Sequence, residues 1–297
     1  MRVSALRAPV RRLTSVLPAL AVCGLLAVVT GCAGSSSSGP SPSSRPSGSA
    51  PSGGTAAPGN GGDAHRSAAA RAAAFRKWGV PVLAPPPAPP AVKPVVTGGA
   101  QLPVVSRIPT TRKIVFVTFD DGAEKDPKFV AMMQDLRIPF TMFLTDAIIR
   151  SDYGYFRPLQ ALGNSIEDHT LTHPDLRTRN LAQQRTEICG QQARLTHEYG
   201  VRPGLFRPPY GAYDTATRAA AKSCGGLRAI ILWRESMQIK NVAFQDPGKK
   251  FHPGDIILAH FRGPSELKGE TMTVMVRNML REIARQGYTV ARLEDYV

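Results

Sequence analysis

Three short strings in the second half of the chain hold residue types that, brought together, can hydrolyse an acyl bond. They are Thr118-Phe119-Asp120-Asp121-Gly122, His169-Thr170-Leu171-Thr172-His173 and Leu258-Ala259-His260. One helical turn or a tight loop can aim two imidazoles four residues apart at a single ion. A carboxylate added to them leaves positions open for water and substrate, as in a catalytic rather than a closed structural zinc site. An adjacent acid beside such a cation stays deprotonated, because nearby positive charge depresses its pKa, and so can act as a base. A histidine can donate a proton near neutral pH to an amine, which is a poor leaving group until protonated. Taken alone, His-x-x-x-His is more often a pair on a helix surface. The order of the three strings, each at the mouth of an expected strand, carries the signal.

The elements that position these strings follow from the apolar runs. Strands are expected at Ile114–Thr118, Phe140–Leu144, Ser165–Asp168, Gly204–Arg207, Ala229–Trp233, Asp255–His260 and Thr289–Leu293. Helical periodicity falls between them at Lys128–Leu136, Leu181–Tyr199, Asp214–Ser223 and Met272–Gln286. In the last, Met272, Val276, Met279, Leu280 and Ile283 recur at helical spacing and mark a buried face. Seven strands alternating with helices imply parallel pairing through right-handed crossovers. The expected fold is α/β, an incomplete (β/α)7 barrel, with its chemistry at the C-terminal strand ends.

With these strings in this order, the region from about Ile114 to Val297 resembles the polysaccharide deacetylase family, also called carbohydrate esterase family 4 or the NodB homology domain. The resemblance implies that Asp121, His169 and His173 hold one divalent metal ion, zinc by default, with cobalt or nickel as alternatives. It implies Asp120 as general base, His260 as general acid, and Arg207 as the arginine orienting the base. Within Phe206-Arg207-Pro208-Pro209-Tyr210-Gly211, the Tyr210 N–H is the implied oxyanion donor, and Leu258 helps form the pocket for the acetyl methyl. His65, His197 and His252 receive no role.

One family element is missing. In Trp233-Arg234-Glu235-Ser236-Met237-Gln238-Ile239-Lys240, Ser236 stands where a supporting aspartate is expected and Lys240 where a second tryptophan is expected. Glu235 is the nearest carboxylate that can substitute, although strand alternation would point it away.

The first hundred residues differ from the rest. Arg2, Arg7, Arg11 and Arg12 precede an apolar stretch from about Leu17 to Val29 and then Val29-Thr30-Gly31-Cys32. This reads as an export signal, since the apolar run is shorter than a bilayer span requires. Its end resembles a lipoprotein box, so residues 1–31 are expected to be removed and Cys32 lipidated. Residues 32–107 are expected to form a Ser/Gly/Pro/Ala-rich linker, mostly disordered, ahead of a catalytic domain at 108–297. Asp63–Trp78 reads as a transient helix inside that linker in preference to a docking element, and Pro85–Pro94 as extended chain.

Removing residues 1–31 takes away four arginines and no acid, which lowers the net charge from +15 to +11. An excess of this size suits a polyanionic wall or lipid surface, and an exported, anchored chain argues against nucleic acid. Of four cysteines, Cys23 lies in the signal and Cys32 at the lipid site; Cys189 and Cys224 are left either bridged or as two free thiols. The expected function is removal of N-acetyl groups from N-acetylglucosamine units of a surface polysaccharide, peptidoglycan before chitin-like oligomers. The enzyme is expected as a monomer on the extracytoplasmic face of the membrane. The alternatives are an O-acetyl esterase on xylan-like glycan and a glycan-binding module that has lost catalysis.

Overall fold

The computed structural model describes residues 60–297. The expected signal, Cys32 and the first part of the linker lie outside the described residues. Among those described, no helix is long and apolar enough to cross a membrane.

The chain runs α1 (Asn60–Lys77), β1 (Val104–Val105), β2 (Ile114–Asp121), α2 (Pro127–Leu136), β3 (Thr141–Leu144), α3 (Asp146–Ile149) and α4 (Arg157–Ala161). Then come β4 (Ser165–Asp168), α5 (Leu181–Tyr199), β5 (Leu205–Phe206), α6 (Thr215–Ser223) and β6 (Ala229–Ile231). It ends with β7 (Glu235–Met237), β8 (Val242–Phe244), β9 (Ile256–His260), α7 (Met272–Arg285) and β10 (Thr289–Val290). The sheet order is β1-β6-β5-β4-β3-β2-β9-β7-β8, and β10 pairs with the start of β2. Every pairing is parallel except the β7–β8 hairpin. This is the incomplete parallel barrel expected. The seventh expected strand, β10, pairs below β3 along β2, and β7 extends the wall beside β9.

Central β2 is apolar on both faces because both are covered, as parallel strands require. Val115, Val117 and Phe119 face outward toward α2 and α7, where Phe119, Phe129, Phe140 and Phe261 pack with ring centroids 5.3 to 5.8 Å apart. Ile114 and Phe116 face inward with Phe143, Leu205, Ile231, Ile256 and the C-terminal Tyr296 and Val297, filling the closed end of the barrel. Helix α2 starts where Asp126 accepts from the Lys128 N–H and Pro127 pre-sets the first turn. Helix α7 buries Met272, Met275, Val276, Met279, Leu280 and Ile283, the face read from its periodicity. A Cys189–Cys224 disulfide joins α5 to the end of α6, which resolves the two cysteine readings.

From Phe75 onward the stretch expected to be linker is packed structure. Phe75, Val80, Leu83, Val95 and Leu102 are buried, and β1 adds a parallel strand beside β6. Trp78 Nε1 and Lys77 Nζ both donate to Asp135 Oδ2 at 2.7 Å, which fixes α1 to α2. Lys93 Nζ donates to the carbonyl oxygens of Glu294 and Val297. The chain then passes so close to Gly254 (φ +85°) that a β-carbon there would lie 1.9 Å from the Ile108 carbonyl oxygen. The alanine- and arginine-rich composition hid this docking, because the anchoring residues Phe75, Trp78, Val80 and Leu83 fall at its end and beyond it.

Candidate active site

Parallel register sets a carboxyl beside an imidazole. Asp120 on β2 is opposite His260 on β9, and Thr118 is opposite Leu258. All four share the inward face, so the carboxyl and the imidazole meet at the open end of the barrel. The strand breaks at the next residue: Asp121 adopts φ +72° and Gly122 φ +90°. A β-carbon on Gly122 would lie 2.4 Å from Ile149 Cγ2, so only glycine fits this turn.

The turn carries Asp121 to the two histidines. Its Oδ1 is 3.5 Å from His169 Nε2 and 3.3 Å from His173 Nε2. The histidines sit on a tight loop after β4, not on a helix, with Thr170 (φ +69°) and His173 (φ +59°) in the left-handed region. His169 Nδ1 is 2.7 Å from the Arg207 carbonyl oxygen and donates to it, which leaves Nε2 as a free lone pair. Asp121 Oδ1 is buried with no hydrogen-bond partner among the described residues, a costly arrangement unless a cation completes it. One ligand atom from each of Asp121, His169 and His173 lies within 4.8 Å of the others. Two imidazole nitrogens and a carboxylate oxygen converging on one point fit a divalent metal ion such as zinc.

Arg207 is fully buried and holds Asp120 in place. Its Nη1 donates to Asp120 Oδ1 at 2.6 Å and to Thr118 Oγ1 at 2.8 Å, and its Nε donates to the Ile231 carbonyl at 3.1 Å. The guanidinium lies over Phe143 at 4.2 Å and beside Trp233 at 5.6 Å. With Oδ1 engaged, Oδ2 faces His169 Nε2 at 3.7 Å. Burial pushes the Asp120 carboxyl up to about 6, against the opposing pull of Arg207. Burial also lowers His169 to about 4, which keeps it neutral as a ligand must be. His260 is lowered to about 3, first by burial and then by the nearby Arg262.

Tyr210 follows the paired prolines at φ +62°, exposed at the rim, with its ring 4.8 Å from that of His173. Asp120, Asp121, His169, His173, Arg207, Tyr210, Leu258 and His260 are thus gathered at one end of the barrel. Glu235 is not among them. On β7 it pairs in register with Ile257, on the outward face, whereas Ser236 pairs with Leu258 and faces the site. The Glu235 carboxyl is buried beside Asp255, whose other side meets Arg107. It therefore cannot stand in for the missing aspartate, and strand alternation is the reason. Thr118 and Phe143, which hold Arg207, went unmarked in the sequence: Thr118 lies inside the Asp-Asp string, but Phe143 looks like any core residue.

The family model for polysaccharide deacetylase matches residues 107–228. An uncharacterised protein of Streptomyces coelicolor is 41% identical over 196 residues, covering 66% of this chain and 77% of its own. Peptidoglycan-N-acetylmuramic acid deacetylase of Bacillus subtilis is 26% identical, covering 63% of this chain and 72% of its own. Peptidoglycan-N-acetylglucosamine deacetylase of Bacillus cereus is also 26% identical, covering 65% and 93%. In three dimensions the chain resembles a carbohydrate esterase family 4 pseudoenzyme from Bacillus anthracis, at TM-score 0.54 and 18% identity over 65% of this chain and 68% of that one. At that identity the likeness speaks for the fold alone. Family model and sequence relatives agree, and the chain carries a polysaccharide deacetylase domain.

Proposed function

We propose that the protein is a metal-dependent hydrolase that removes N-acetyl groups from N-acetylglucosamine units of a cell-surface polysaccharide, peptidoglycan before chitin-like oligomers. The observation that carries this reading is Asp120 opposite His260 in register, next to the converging Asp121, His169 and His173. A divalent ion, zinc by preference, held by those three residues would supply Lewis acidity to the water and to the acetamide carbonyl.

The chain's own residues do the rest. Asp120, held at Oδ1 by Arg207, takes the proton of the attacking water on Oδ2. The water oxygen bonds to the amide carbon, and the backbone N–H of Tyr210 donates to the oxygen that gains charge. Leu258 lines the space for the acetyl methyl. His260 gives a proton to the departing nitrogen as the C–N bond breaks, so that acetate and a free amine result. His260 is neutral at rest, given its lowered pKa, so the proton it delivers is the one that Asp120 took from the water.

Acetate release from peptidoglycan, chitin oligomers and acetylxylan, each with and without chelator, tests the reading. Chelator-sensitive release from the first two supports it. Release from acetylxylan alone would make the protein an O-acetyl esterase, and binding without release a glycan-binding module.

The proposed address is the outer face of the membrane, through a lipid on Cys32, and the Cys189–Cys224 bridge supports an oxidising compartment. Cys32→Ala should move the protein from the membrane fraction to the medium; retention in the membrane would refute the anchor.

A further inference from the structure

The loop that carries His169 and His173 is held from outside by helix α5. Its backbone donors can be followed one by one. The His169 N–H donates to the Leu144 carbonyl at 3.2 Å, and the Thr170 N–H to Asp168 Oδ1 at 2.9 Å. The Leu171 N–H reaches the Glu187 carbonyl at 3.1 Å, and the Thr172 N–H reaches Glu187 Oε2 at 2.8 Å. The His173 N–H closes the loop on Thr170 Oγ1 at 3.1 Å. The donors of Leu171 and Thr172, between the two histidines, thus end on one residue. Glu187 Oε1 also accepts from Thr172 Oγ1 at 2.7 Å.

Two more residues of the same helix face join the grip. Gly190 and Gln191 follow Glu187 at the three- and four-residue spacing that shares one side of a helix. Leu171 packs so closely on Gly190 that a β-carbon there would lie 2.6 Å from Leu171 Cδ1. Gln191 Nε2 donates at 2.5 Å to the Leu144 carbonyl, the oxygen that also takes the His169 N–H. The helix itself is fixed: Asn180 and Gln183 close a capping box at its start, and Cys189 is bridged to Cys224. The loop needs such holding. Thr170 and His173 both adopt left-handed φ, which costs non-glycine residues energy and persists only where the surroundings enforce it.

We propose that Glu187 is a positioning residue for the metal ligands. By fixing Leu171 and Thr172 from α5, it sets the spacing of the two imidazoles and with it the affinity for the ion. The proposal rests on the metal-dependent reading and adds to it a residue outside the ligand set. The action is geometric: the carboxylate serves as a pair of acceptors, and its charge is not the agent.

The test titrates zinc into the purified full chain against a chromophoric chelator, so that affinity is read without turnover. Glu187→Ala should bind zinc about 10- to 100-fold more weakly, the usual cost of losing a group that orients a ligand. Glu187→Gln should stay close to wild type. Its amide oxygen still accepts from the Thr172 N–H, and its amide N–H can donate to the Thr172 hydroxyl. With cobalt in place of zinc, the visible absorption bands should shift in Glu187→Ala but not in Glu187→Gln. Thr172→Val, at an exposed position, removes the hydroxyl contact alone and keeps the test open should Glu187→Ala fail to fold. It should weaken zinc binding by itself and add nothing further in the Glu187→Ala background. Unchanged affinity in Glu187→Ala, or in Thr172→Val, overturns the positioning role and leaves the metal reading standing. Equal losses in Glu187→Ala and Glu187→Gln do the same, since charge and not geometry would then be at work. A wild type that binds no zinc discards the metal reading and the proposal with it.

Discussion

At Asp120 burial works against ionisation while Arg207 works for it, and the carboxyl ends near 6. Removing the arginine would leave a buried carboxylate unpaired. Arg207→Met should therefore destabilise the protein by about 3–5 kcal/mol, as read by urea unfolding, and abolish turnover. A stability within 1 kcal/mol of wild type, on the order of a surface substitution, would show that the pair is not needed. Metal analysis tests the ligands: about one ion per chain is expected, with a sharp fall in His169→Ala and His173→Ala. The missing aspartate gives a signed expectation. A carboxylate at position 236 faces His260 and favours its imidazolium, so Ser236→Asp should raise the His260 pKa from its low value. Followed by NMR against pH, the His260 imidazole of Ser236→Asp should therefore titrate at higher pH than that of wild type, a profile that reads the shift directly. Glu235→Gln should leave that profile unchanged; a shift there would return Glu235 to the site. The residues proposed as ligands, base and acid were legible in the sequence because each such role needs a specific chemical type at the end of a strand. The packing of Arg207 against Phe143 and Trp233 was not, since its parts are ordinary core residues brought together by the sheet.

Among the elements, β7 shows what alternation decides. Turned outward, Glu235 is raised to about 9 by burial and by Asp255. A carboxyl that is protonated in the fold but ionised when unfolded costs stability as pH rises from its ordinary range toward that value, and no further above it. Glu235→Gln mimics the protonated form, so its melting temperature should gain on wild type between about pH 5 and 9. A constant gap across that range would contradict this. The disulfide from α5 to α6 spans 35 residues of sequence, and Cys224→Ser should lower stability by about 2–4 kcal/mol. The strands that the sequence showed best, β2, β3, β4 and β9, carry long apolar runs with chemistry at their ends. The strands β1, β7 and β8 were missed, because two or three residues give no period to read.

For the whole molecule, the packed chain before β2 moves the domain boundary. A chain starting at residue 108 would expose surface that now covers Phe75, Val80, Leu83 and Leu102, and would remove the β1 edge strand. It should aggregate or melt well below a chain starting at residue 60, as seen by light scattering and circular dichroism. Equal melting of the two would make the strap dispensable. The composition of residues 32–107 could not reveal this. Disorder and docking share the same Ala, Pro and Gly background, and only a few apolar anchors separate them.

The strap also sets how the protein would respond to a mechanical load entering from its N-terminal side. Tension would reach the α1 contacts at Asp135 first, then the Lys93 clasp on the C-terminal carbonyls, and only afterwards β1 along β6. The catalytic strands lie beyond all three. In an optical trap the molecule should therefore yield in small early steps before one large rupture, with its active end intact until the last.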